Sequence, residues 1–181
     1  MMAPVLTEFI IAQRWDGVAL SEQERARVEV HWLKNGDLSI ALDAPFANDP
    51  QPNCVKNACW KLWNFEVVEL FLVGEGEPAP YTEIEISPWG KHLVLQLLGS
   101  RNTIAKKLPL QILSLERGEK RWTAQAVISK KLLPKGDLKV NAYRVSGVEP
   151  NRHYHVMTPM VGPEPDFHLI DQFETVLKRH D

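Results

Sequence analysis

The stretch YTEIEISPWG (Tyr81–Gly90) decides how the chain folds. Thr82, Ile84 and Ile86 alternate with Tyr81, Glu83 and Glu85. Strict alternation of this kind marks a strand whose two faces meet different surroundings. Side chains two apart on a strand share a face, roughly 6.6 Å from each other. Glu83 and Glu85 therefore point the same way, beside Tyr81.

The preceding stretch FEVVELFLV (Phe65–Val73) is apolar almost throughout, as in a central strand covered on both faces. Val68, Leu70 and Leu72 make one face, and Val67, Glu69 and Phe71 the other. If the two stretches pair antiparallel, Glu69 joins Glu83 and Glu85. The next stretch, KHLVLQLL (Lys91–Leu98), is expected to add His92, Val94 and Gln96 to that surface. Val67, Phe71 and Val94 are poor residues for open solvent. The face is therefore expected to be partly covered, and covered carboxylates need partners. Arg144 is the expected partner of Glu69 or Glu85.

Strand signals continue in both directions. Val28, Val30 and Trp32 alternate with polar residues, as do Leu38, Ile40 and Leu42 after a KNGD turn. A two-residue turn would put these two apolar sets on opposite faces. An odd-length loop with a left-handed Gly36 keeps them together and is the expected geometry. Later strands are expected at Leu108–Glu116, Arg121–Ser129, Leu138–Gly147 and His153–Pro159. The Asn- and Pro-rich segment Ala44–Lys61 reads as a long loop, a candidate rim for a ligand. Leu169, Ile170, Phe173, Val176 and Leu177 follow helical spacing, with Asp166 as N-cap, so a short C-terminal helix is expected. About nine strands with one terminal helix define an all-β, antiparallel, jelly-roll-like sandwich. Residues 1–181 are expected to form a single domain.

Composition limits the function classes. The chain has 181 residues, 44% apolar and 24% charged, with a net charge of −2. It lacks the basic stripe of a nucleic-acid binder, and no apolar run approaches the roughly 20 residues of a membrane span. The N-terminus has no positive region and carries Glu8 inside its apolar part, unlike a secretory signal, so the expected location is cytoplasmic. Cys54 and Cys59 are expected to be free thiols. No dinucleotide-binding, P-loop or nucleophile-elbow pattern occurs. His153 and His155 share a strand face, but a metal site needs a third ligand, so neither metal nor cofactor is expected. A glycosidase needs two carboxyls of different pKa. Strand spacing alone supplies Glu83 and Glu85 at a suitable separation, as it does in any strand with alternating glutamates. Two readings of the acidic face follow: a solvated surface paired to Lys or Arg, or a groove for a polyhydroxylated ligand.

LWNFEVVELFLV, YTEIEISPWGKHLVLQL, NAYRVSG and PDFHLIDQF occur in that order, within a pattern that covers roughly residues 28–175. This set resembles the DOMON-like β-sandwich proteins related to family-9 carbohydrate-binding modules. Within that group it is more similar to an uncharacterised branch of small intracellular proteins. The resemblance implies a non-catalytic module in which tryptophans clamp a sugar and charged or amide side chains hold its hydroxyls. It carries over Glu69, Glu83, Glu85 and Arg144 by position, with Asp166 and His168 in the terminal DFH. Tyr81, Trp63, Trp89 and His168 complete the expected ligand-binding set. The expected ligand is a small carbohydrate-like molecule. The alternatives are an intracellular structural or protein-interaction domain that has lost sugar binding, and, third, a glycoside hydrolase.

Overall fold

The computed structural model describes residues 6–179. Alternating and continuous apolar runs become thirteen strands among these residues. In chain order they are β1 (Thr7–Ile11), β2 (Gln13–Arg14), β3 (Ala26–Trp32), β4 (Leu38–Pro45), β5 (Val67–Val73), β6 (Pro80–Ile86) and β7 (His92–Leu98). They continue with β8 (Thr103–Lys106), β9 (Gln111–Arg117), β10 (Arg121–Ile128), β11 (Leu138–Ser146), β12 (His153–Val156) and β13 (Thr175–Leu177). The smaller sheet runs β1-β3-β4-β10-β9 and the larger β2-β12-β11-β5-β6-β7-β8, with β13 also on β11. All named pairings are antiparallel. The fold is an all-β antiparallel sandwich.

The β3–β4 hairpin has the expected parity. Trp32 pairs with Leu38, Val30 with Ile40 and Val28 with Leu42, leaving an odd number of residues between the strands. Gly36 sits at φ +85°, where a side chain would be strained. Both apolar sets consequently reach the core between the sheets.

That core is aliphatic. Val28, Ile40 and Leu42 meet Leu70, Ile84 and Val140 across the sandwich. Burying each such side chain contributes about 1.5–3 kcal/mol. A second apolar cluster lies on the opposite face of the larger sheet. There Val67, Phe71, Leu93 and Tyr143 are covered by Leu62, Ile170 and Phe173 from two loop segments. Every residue of β5 is buried, which explains its continuous apolarity.

Two expectations are corrected. The C-terminal segment is not a helix: a single 3-10 turn (Ile170–Gln172) leads into β13. Its apolar residues serve different layers. Ile170 and Phe173 cover the outer face, whereas Leu177 reaches the inter-sheet core, so the helical spacing is coincidental. Cys54 and Cys59 form a disulfide, with Cα atoms 5.7 Å apart. The loop folds back because Cys59 N–H donates to the carbonyl of His92 and His92 N–H to that of Asn57, both at 2.9 Å.

Candidate functional site

Register decides which side chains share the outer face. Glu69 stands opposite Glu85, and Phe71 opposite Glu83. β11 adds Tyr143 opposite Glu69 and Asn141 opposite Phe71. β7 adds Leu93 opposite Glu85 and Leu95 opposite Glu83. The three glutamates expected to gather do so. His92, Val94 and Gln96 do not join them. They pair with Ile86, Ile84 and Thr82 and so face the other way.

Arg144 is likewise on the opposite face, paired in register with Val68. Its guanidinium lies 3.7 Å from buried Glu66 and donates to the carbonyl of Pro45 at 3.1 Å. The expected counter-charge for Glu69 and Glu85 is therefore absent. Trp89 also lies elsewhere. Its ring packs edge-on against Phe46 and beneath the Arg117 guanidinium, 4.1 Å away.

A cleft of about 560 Å³ opens over the acidic face. Glu69, Glu83, Leu95, Leu97 and Val145 form its floor. Trp60 and Trp63 stand on one side as an edge-to-face pair, centroids 5.1 Å apart. Tyr154, Phe167, His168 and Arg101 also line it. Trp63 sits in a 3-10 turn (Leu62–Asn64) held from behind by Arg152. The Arg152 guanidinium donates to the carbonyls of Trp63 (2.7 Å), Asn64 (3.0 Å) and Gly147 (2.7 Å), tying that turn to the β11–β12 connection. Of the expected set, Glu69, Glu83, Trp63 and His168 line the cleft. Glu85 and Tyr81 are buried beneath it, at 0% and 1% exposure.

At the far end the Tyr81 hydroxyl accepts from the Arg101 N–H at 3.1 Å and lies 2.7 Å from His168 Nδ1. Assigning the hydroxyl proton to Nδ1 places the proton of the neutral imidazole on Nε2. Nε2 is 4.0 Å from Glu83 Oε2. Burial, and then the Arg101 charge, hold His168 down to about 4, so the ring is neutral near neutral pH. Burial pushes Tyr81 up to about 12.

The acids are strongly perturbed. Burial, only partly offset by a side-chain hydrogen bond with Glu85 and then by Arg101, lifts Glu83 to about 7. Burial and then the charges of Glu69 and Glu83 push Glu85 well above the usual range. Glu69 is raised by burial and by Glu83, with Arg152 drawing it back. No donor reaches Glu83 Oε2, and Glu85 has no hydrogen-bond partner beyond the neighbouring Glu83 carboxyl among the described residues. A buried polar atom without a partner is costly and calls for a reason. Among these residues no group of three or more His, Cys, Asp or Glu side chains is arranged to hold a metal ion. No helix is long and apolar enough to cross a membrane.

The site is thus an aromatic-walled, acid-floored cleft on the outer face of an antiparallel β-sandwich. The chain belongs to the UPF0462 family. It is 33% identical over 175 residues to the UPF0462 protein C4orf33 homolog of Rattus norvegicus, covering 92% of this chain and 86% of that one. It is 32% identical over 181 residues to UPF0462 protein C4orf33 of Homo sapiens, covering 93% and 86%. No family model matches the chain. Among solved structures, a "putative carbohydrate-binding protein" from Bacteroides uniformis superimposes with a TM-score of 0.62 at 14% identity, over 94% of this chain and 84% of that one. At that identity the likeness speaks for the fold.

The cleft also contains residues the sequence did not single out, notably Arg101, Arg152, Tyr154 and Phe167. Phe167 lies inside the DFH signature, and Tyr154 alternates with His153 and His155. In both stretches the histidines carry the sequence signal instead.

Proposed function

We propose that residues 1–181 form one non-catalytic binding domain whose cleft takes a small carbohydrate or similar polyol, encountered in the cytoplasm. One observation carries this reading: the Trp60–Trp63 pair stands over a floor whose Glu83 has an unsatisfied oxygen. Aromatic rings cover the apolar faces of a sugar ring, while placed polar groups fix its hydroxyls. The resemblance to DOMON-like and family-9 carbohydrate-binding modules agrees with it, as does the description of the Bacteroides neighbour.

A hydrolase needs one protonated and one ionised carboxyl. Glu83 suits the acid, but Glu69 and Glu85 are raised as well, which leaves no committed nucleophile or base. The interaction-domain alternative has no comparable cleft observation behind it. The test is a melting-temperature and tryptophan-fluorescence screen against mono- and oligosaccharides and polyols. A saturable response to one of them is expected, and Trp63→Ala should weaken it by roughly tenfold or more, about 1.4 kcal/mol. A silent panel, or full binding by Trp63→Ala, overturns the reading.

A further inference from the structure

The floor of the cleft is short of positive charge. Register places Glu69, Glu83 and Glu85 on adjacent positions of β5 and β6. None lies within ion-pair distance of a lysine or arginine among the described residues. The one ionic neighbour among the described residues is His168, 4.0 Å from Glu83 and held neutral by burial and the Arg101 charge. Glu83 is 3% exposed, lines the cleft, and has an unpartnered Oε2.

The cations at the rim are committed elsewhere. Arg101 pairs with Asp166 at 2.7 Å. Arg152 spends its donors on backbone carbonyls. Lys106 Nζ sits 4.7 Å above the Trp60 ring. A neutral polyol offers Glu83 Oε2 hydroxyl donors but no counter-charge once the carboxyl ionises. An ammonium supplies one, with three donors for the open oxygens, and the faces of the wall aromatics favour a cation.

We propose that the ligand is a hydroxylated primary amine, such as an amino sugar, whose ammonium binds against Glu83 while its hydroxyls face the aromatic walls. The inference rests on the carbohydrate reading above for the hydroxylated part only. Binding converts the Glu83 carboxylic acid to carboxylate and releases its proton to solvent, so the bound pair is carboxylate and ammonium. The charged and titratable groups around Glu83 are Glu69 on β5, Tyr81 and Glu85 on β6, Tyr143 on β11, Arg101 after β7, and His168 with Asp166 from the C-terminal segment. Glu69, Glu85, Tyr81 and Tyr143 are raised as well and supply no positive charge, so the counter-charge for an ionised Glu83 has to come from the ligand.

The experiment is isothermal titration calorimetry of the full chain with glucosamine, galactosamine and mannosamine, each beside its parent hexose, and with ethanolamine. Two buffers of different ionisation enthalpy report the protons exchanged. At least one amino sugar should bind roughly tenfold or more tighter than its parent, the worth of one charge-assisted hydrogen bond. It should release up to one proton, and Glu83→Gln, checked for an intact melting transition, should remove the preference and the proton release together. Hexoses that bind as well as their amines, or a preference that survives in Glu83→Gln, overturn the inference and leave the carbohydrate reading standing. Ethanolamine binding with no response to any sugar supports the amine and overturns the carbohydrate reading. Silence from every compound overturns both.

Discussion

Glu66, just before β5, and Glu83, at the centre of β6, are both buried glutamates, yet they live differently. Glu66, at 0% exposure, accepts from the N–H of Ala47 at 2.8 Å and of Asp49 at 3.4 Å, with Arg144 3.7 Å away. Its carboxylate fastens the start of the long loop to the sheet. Burial raises its pKa, and the Ala47 N–H and Arg144 draw it back. Glu83 has an oxygen with no donor and a neutral histidine for company. The first carboxyl is used up by the fold. The second is held ready at the fold's expense, as expected of a group kept for something outside the chain.

The comparison can be broken by mutation. The largest effect is expected from Arg144→Met, which leaves Glu66 as a buried charge lacking its cation. Stability should fall by roughly 3–5 kcal/mol in denaturant titration near neutral pH. A loss below about 1 kcal/mol would mean that the backbone N–H groups suffice for Glu66.

Glu83→Gln should act in the opposite direction. Its raised pKa means that the folded protein holds a proton the unfolded chain has released. The contribution of this acid to stability is therefore complete below about pH 4.5 and is lost as pH climbs through about 7. The variant should be more stable than the parent at mildly alkaline pH, by roughly 1–3 kcal/mol, and its melting temperature should fall less between those limits. His168 has the reverse dependence: its contribution is present above about pH 6.5 and lost as pH falls to about 4. The acid limb of the profile should therefore persist in Glu83→Gln, and its disappearance would assign that limb to Glu83.

The smallest effect is expected from Asp166→Ala. Asp166 accepts from the His168 N–H at 2.9 Å and pairs with exposed Arg101. Removing it should cost about 0.5–1 kcal/mol, with the inter-sheet core untouched. A larger loss would show that His168 is seated by Asp166 rather than by Tyr81.

Much of this contrast was legible in the sequence. Period-2 alternation put Glu83 and Glu85 on one face, and the mixed pattern of β5 placed Glu69 with them. Arg144 could not be assigned in this way. In β11, Val140 and Ala142 occupy one face and Tyr143 and Val145 the other, so both faces look apolar and parity is undetermined. The same ambiguity misplaced His92, Val94 and Gln96 in β7, whose two faces are both covered. Only register, a non-local property, resolves such strands. Short β2, β8 and β13 gave no periodicity to read. The wall residues Arg152 and Phe167 lie on connections whose paths depend on what the sheet offers them.

The grip of Arg152 on the Trp63 turn bears on timing as well as shape. A fork of donors onto carbonyls from two segments leaves the aromatic wall little freedom to swing. Under the proposed binding role, a ligand would meet a recess already set, and the ordering entropy of association would fall mainly on the ligand. Arrival would need no prior opening step, so tuning of this site by sequence change would act chiefly on how long the guest stays.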